Sequence, residues 1–277
     1  MVNPARLAGP PQAFTWYLTI QGECSEVRCI ANFQKTPPIE RRGDVGAFSK
    51  QSRKRVMRLA AKIDWEALRN SLFISLTYPD QCLPNDKDQR NRHRYLFFRY
   101  AEKLLSKEVP ILWRIEWEDR KSGPNTGLFC PHLHLIACGC RFLSWRRIRR
   151  WWGTIVHVNG PLATDVQKIY DSTHAQMYIS KYIAKECSLD RVPYLNKGKS
   201  LGRHWGMHRK EQCKWCPIRV MRRISDEQAD EIRLMAALQF PGYDPLLGGG
   251  FTFLGNGYAD ELADKFGKGI DDGRQLG

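Results

Sequence analysis

The segment Ile111-Leu112-Trp113-Arg114-Ile115-Glu116-Trp117-Glu118 constrains the fold more than any other stretch of this chain. From Trp113 onward it alternates strictly. Trp113, Ile115 and Trp117 fall on one side of an extended backbone, and Arg114, Glu116 and Glu118 fall on the other. A strand with two faces so unlike belongs in a sheet with its apolar side against a core. A loop through Ser122-Gly123-Pro124-Asn125-Thr126-Gly127 leads into a second strand, Cys130 to Ala137. Two strands joined in this way are antiparallel neighbours.

Other elements gather around this pair. Apolar runs predict strands at Phe14–Ile20, Leu72–Tyr78, Thr154–Val158 and Ala163–Tyr170. Helical spacing begins at Ser52, where Val56, Leu59, Ala60, Ile63 and Leu68 share a face, and recurs over Arg92–Leu105, His174–Glu186 and Asp226–Leu238. Ser144 reads as the N-cap of a helix through Trp152, with Trp145, Ile148, Trp151 and Trp152 packing inward and Arg146, Arg147, Arg149 and Arg150 facing out toward phosphate; the alternative is that exposed indoles of this helix stack bases beside its arginines. These elements predict an α+β fold with a central antiparallel sheet flanked by helices. Residues 1–50 read as an irregular N-terminal region with one strand, and 51–223 as the main domain. Residues 224–277 read as a helix followed by a glycine-rich, mobile tail.

Charge narrows the partners. There are 44 Lys and Arg against 29 Asp and Glu, a formal net charge of +15. Such an excess attracts polyanions, although it does not choose among DNA, RNA and an anionic membrane. No apolar run approaches a membrane span, and the first residues lack the apolar core of a secretory leader. The expectation is a protein that stays where it is made, with no membrane partner. Nine cysteines and no leader argue for reduced thiols. Cys213-Lys214-Trp215-Cys216 has zinc-ligand spacing but supplies half a site, for which Cys24, Cys29, His204 or His208 are the candidate complements.

Three clusters carry chemistry. His132 and His134 lie two apart on the second strand and project from one face as a pair of imidazole ligands. Hairpin pairing brings Glu116 beside them, with Glu118 as the fallback carboxylate. Two imidazoles and a carboxylate leave positions open on Mg²⁺ or Mn²⁺ for a phosphate oxygen. In His174–Lys185, Tyr178 and Tyr182 are i and i+4 on a helix, with Lys181 and Lys185 at the same spacing beside them. A tyrosine attacks a phosphodiester when cations ease formation of its phenolate. Each cluster alone is weak, since paired histidines on a strand edge and half-buried tyrosines are common.

Their order is the stronger signal. Phe73-Ile74-Ser75-Leu76-Thr77-Tyr78-Pro79, Pro131-His132-Leu133-His134-Leu135 and Tyr178-Ile179-Ser180-Lys181-Tyr182-Ile183-Ala184-Lys185 follow one another as in the HUH endonucleases. The set resembles the rolling-circle replication initiators of single-stranded DNA phages and plasmids, in their two-tyrosine form. Trp113-Arg114-Ile115-Glu116 and Gly202-Arg203-His204-Trp205-Gly206 look like further pieces of that pattern. The resemblance covers roughly residues 50 to 210. It implies a ferredoxin-like palm with the histidines on a middle strand, a divalent metal (Mg²⁺ or Mn²⁺), and nicking of one origin strand by tyrosine. A 5′-phosphotyrosyl intermediate, a 3′-OH primer and later rejoining would follow. The implied partners are single-stranded or supercoiled origin DNA and a host helicase and polymerase, in the cytoplasm of a bacterial cell. The first motif reads as a core strand without a catalytic atom, ending in Thr77 and Tyr78 as DNA contacts. The alternatives are a non-catalytic single-strand-binding module and an HUH transposase or relaxase, although relaxases usually carry a third histidine where this chain has Ile136.

Overall fold

The computed structural model describes residues 14–31, 48–105, 108–124, 126–127, 129–158, 164–183, 202–241, 243–246, 250–267 and 269–270. The chain is α+β and divides into two compact units, Arg41–Lys214 and Met1–Glu40 together with Trp215–Gly277.

The first unit is built on an antiparallel sheet. Its strands, in chain order, are β3 (Ser71–Thr77), β4 (Ile111–Asp119), β5 (Phe129–Ala137), β6 (Thr164–Ile169) and β7 (Trp205–His208), arranged in space as β6-β3-β5-β4-β7. Register places Glu116 opposite His132 and Arg114 opposite His134, while Ser75 and Thr77 of β3 face His134 and His132 from the other side. The tandem of histidines therefore sits on the middle strand, flanked on both sides by polar residues.

One face of this sheet is apolar across its three central strands: Ile74 and Leu76 of β3, Leu133 and Leu135 of β5, and Trp113, Ile115 and Trp117 of β4. They pack with Phe97 and Phe98 of α2 (Lys87–Leu105) and with Ile148, Trp152 and Ile155 of α3 (Trp145–Val156). Burial of each such side chain contributes about 1.5–3 kcal/mol. The predicted strand at Thr154–Val158 is instead the last turn of α3, because Ile155 and Val156 continue the apolar stripe of Ile148 and Trp152 at helical spacing. His157, at φ 58°, ends the helix in the left-handed conformation.

The other face carries the polar residues and is covered over β4, while Ser75, Thr77 and His132 are half-buried. β4 is buried from Ile111 through Trp117, including Arg114 at 0% and Glu116 at 1% exposure. The Phe48 ring lies 3.6 Å from the Arg114 guanidinium carbon. The segment after β6 covers Phe73. It is an α-helix, α4 (Ser172–Tyr178), followed by a π-helical turn (Ile179–Ile183), where the sequence predicts one α-helix to Glu186. Residues beyond Ile183 in that prediction, Lys185 among them, lie outside the described residues. Preceding β3, α1 (Lys50–Ala60) starts at Ser49, whose side chain caps the Ser52 N–H, and buries Val56 and Ala60.

The second unit unites the two chain ends, which read from the sequence as an irregular region and a helix with a mobile tail. Its sheet has the order β10-β8-β1-β2-β9, from β1 (Phe14–Gln21), β2 (Cys24–Ala31), β8 (Ile218–Ile224), β9 (Phe251–Leu254) and β10 (Gly269–Ile270). The β1–β2 hairpin turns at Gly22, whose φ of 57° suits glycine. Leu18, Ile20, Val27 and Val220 pack with Ile232 of α5 (Asp226–Gln239) and Leu262 of α6 (Asn256–Phe266). Ser225 and Gln228 form a capping box that starts α5. β2 escapes a periodicity reading because Ser25 and Glu26 are buried in it, the carboxylate 3.2 Å from Arg28.

Candidate active site

Antiparallel pairing sets the site. His132 and His134 project from β5 with near-parallel rings, centroids 6.3 Å apart and planes 9° apart. Nδ1 of each ring meets a β3 hydroxyl: Ser75 Oγ lies 2.8 Å from His134 and Thr77 Oγ1 lies 3.0 Å from His132. A hydroxyl both donates and accepts, so it holds either tautomer. With Nδ1–H donating to the hydroxyl, Nε2 keeps its lone pair for a cation. Burial, and then the neighbouring His134, push His132 down to about 4, which keeps its imidazole neutral at pH 7.

Nε2 of His134 is 2.8 Å from Glu116 Oε2, with both side chains buried. Glu116 is thus placed between the two histidines: opposite one in register and bonded to the other. Glu118 lies further along the same face and is half-buried. As the side chains stand, no three His, Cys, Asp or Glu donors already converge on one point among the described residues. The donor chemistry nonetheless fits a hard divalent cation, with two neutral imidazoles and a carboxylate. Two adjacent ligands of an octahedral ion at about 2.1 Å stand about 3 Å apart, close to the separation of the His134 and Glu116 atoms. Exchange of their hydrogen bond for a shared ion therefore needs little movement.

The tyrosines come to the same place. The Tyr182 ring centroid is 5.0 Å from that of His134, and Tyr178 and Tyr182 stack at 6.0 Å. Phe73 forms the floor, 4.5 Å from Tyr178, 4.9 Å from Tyr182 and 5.7 Å from His134. The two phenols differ. Tyr178 is buried and donates its O–H to Gln167 Oε1. Burial, followed by the Asp165 charge, raises its phenol above the ordinary value. Tyr182 is half-buried, and Lys181 Nζ lies 5.0 Å from its ring centroid. The π turn between them keeps both rings on one side, and such turns recur at functional sites.

The structure thus gathers His132, His134, Glu116, Tyr178, Tyr182 and Lys181. Sequence reasoning missed two participants, Ser75 and Phe73, on a strand read as core, and gave Thr77 as a DNA contact where its hydroxyl instead meets His132. Their alternation with Ile74 and Leu76 was the available signal. Tyr78, read as a DNA contact, is instead 1% exposed and packs on Trp152 and His93. Trp145, read as core, is half exposed although it shares the helical stripe of Ile148 and Trp152; it is the first residue of α3. Cys213 is buried and hydrogen-bonds to the Cys138 thiol, while Cys216 belongs to the other unit.

No protein-family model, no curated protein and no solved structure matches this chain. No helix among the described residues is long and apolar enough to cross a membrane.

Proposed function

We propose that the protein is a replication initiator of the HUH type, which nicks and rejoins one DNA strand through tyrosine. The observation that carries this reading is the juxtaposition of Tyr182 with His134 at 5.0 Å, where His134 meets Glu116. A phenol nucleophile thus stands beside a donor set suited to Mg²⁺ or Mn²⁺. An antiparallel sheet with the histidines on its middle strand supports the palm architecture that the motif order implies.

His132, His134 and Glu116 would hold the metal, which supplies electrophilic polarisation of the scissile phosphate when bound. Tyr182 gives its proton to solvent water and attacks phosphorus. The new phenolic O–P bond replaces the P–O3′ bond, the 5′-phosphate stays on tyrosine, and the 3′ oxygen leaves as a hydroxyl after taking a proton from water. Lys181, with its Nζ 5.0 Å from the Tyr182 ring centroid, is the cation beside the nucleophile. Tyr178 would take the second transfer, in which a new strand displaces the first and rejoining follows. Origin DNA is the substrate, and the 3′-OH primes synthesis by host enzymes.

The test uses labelled single-stranded DNA from the replicon that encodes the chain, with Mn²⁺. A covalent protein–DNA adduct that resists denaturation is expected, and chelator or the Tyr178→Phe/Tyr182→Phe double variant abolishes it. If the double variant forms adduct as well as wild type, the reading fails. Binding without any adduct identifies the non-catalytic module instead.

A further inference from the structure

The nicking reading leaves α3 unused, although it carries four arginines and no acidic residue. Residues 138–158 hold five arginines and no aspartate or glutamate. Arg146, Arg149 and Arg150 line a groove of about 460 Å³ together with Trp145 and Thr154. Trp145 is 51% exposed at the rim, and the Arg146 guanidinium carbon sits 5.5 Å from its ring centroid. Phe142, three residues earlier, is 74% exposed. Two large aromatics left in water beside a run of arginines are costly unless something covers them. The first turn of a helix favours anions, yet α3 begins with Arg146 and Arg147, and Ser144 makes no side-chain cap bond. An external anion would relieve that arrangement.

The groove is remote from the histidines. α3 packs on the sheet face that carries Trp113 and Leu135, and His132 and His134 project from the opposite face. The two sides meet through one strand, where Trp152 Nε1–H donates to the Thr77 carbonyl at 2.9 Å and the Thr77 hydroxyl holds His132.

We propose that the outer face of α3 is a second nucleic-acid site, which holds an unpaired DNA segment by stacking a base on Trp145 and seating its phosphates on Arg146, Arg149 and Arg150. An exposed indole beside cations favours a single strand over a duplex, because paired bases are already stacked. The choice of DNA over RNA rests on the reading of the preceding section. The site itself requires neither metal nor tyrosine. Its function would be to keep a displaced strand on the protein while the tyrosine face holds the cleaved end.

The experiment measures anisotropy of fluorescein-labelled dT30 with the full-length chain in EDTA, over a range of salt concentrations. Trp145→Ala is expected to weaken binding roughly tenfold and Trp145→Phe to restore most of it. Arg146→Ala/Arg149→Ala/Arg150→Ala is expected to reduce the salt slope by about 2. An exposed Trp145 leaves the urea midpoint of Trp145→Ala at the wild-type value, which separates binding from folding. Wild-type affinity in Trp145→Ala overturns the site. So does a 30-base-pair duplex that competes as well as dT30, or an rU30 probe that binds more tightly. Because this assay uses non-origin DNA and a chelator, it fails independently of the adduct assay.

Discussion

The hydroxyl of Ser75 lies 2.8 Å from Nδ1 of His134, on the side of the imidazole away from Glu116. A strand that looks like plain core thus holds an imidazole of the candidate site through its alternate residues. Loss of a group that orients a metal-bound histidine typically costs 10- to 100-fold in affinity. Ser75→Ala is expected to weaken Mn²⁺ binding by about tenfold, the low end of that range, because the hydroxyl is uncharged. Calorimetric titration with Mn²⁺ checks this, and unchanged affinity would show that Ser75 merely fills space.

Glu116 and Glu118 share a face of β4, but only Glu116 is buried and bonded to His134. Glu116→Gln preserves shape while removing the charge, and is expected to lower adduct formation by at least about 100-fold. Glu118→Gln should stay within about fivefold, the scale of a partly exposed charge. The reverse order of effects would move the carboxylate role to Glu118.

The two phenols predict a division of labour. Tyr182→Phe is expected to cut the first cleavage to below about a thousandth of wild type, as removal of a nucleophile does. Tyr178→Phe should leave the first cleavage in place and block strand transfer to a second oligonucleotide. Because burial raises the Tyr178 phenol, its phenolate fraction at any given pH is lower than that of a free tyrosine. Any adduct remaining in Tyr182→Phe should therefore increase as pH rises toward and above 10. A flat profile would mean that Tyr178 does not supply that residual activity.

Gly206 on β7 pairs with Trp113, and a Cβ at this position would stand 2.8 Å from the buried indole. Gly206→Ala must push a rigid ring or the edge strand, at a cost of about 1–3 kcal/mol. Urea denaturation is the measurement, and an unchanged midpoint would show that β7 moves freely.

His204 is 4% exposed, and burial, followed by the Arg90 and Arg114 charges, pushes it down to about 4. The unfolded chain takes up this proton near pH 6.5, and the folded chain only near 4. Between those values the unfolded state binds more protons, so stability falls as pH drops, by up to about 1.4 kcal/mol per pH unit for this group. His204→Gln should flatten the slope of unfolding free energy between pH 6.5 and 4. A slope equal to that of wild type would remove His204 as its source.

Local pattern alone settled part of this molecule. The alternation of Trp113 to Glu118 determined a two-faced strand, and the spacing of His132 and His134 put both rings on one side; Tyr178 and Tyr182 also share a side, but across a π turn rather than along the predicted α-helix. The first two follow from backbone geometry, which a few residues express by themselves. The α+β class was legible for the same reason. Tertiary structure decided the rest. Only the β4–β5 register puts Glu116 opposite His132, since a slip of one residue would reverse every side chain. Only the β3–β5 pairing sets Ser75 and Thr77 against Nδ1 of His134 and His132, and only the tertiary burial of β4 takes Arg114 and Glu116 out of water. The unit made from the chain ends was hidden for a related reason, because β1 and β8 pair across about 200 residues and no local window contains such a contact.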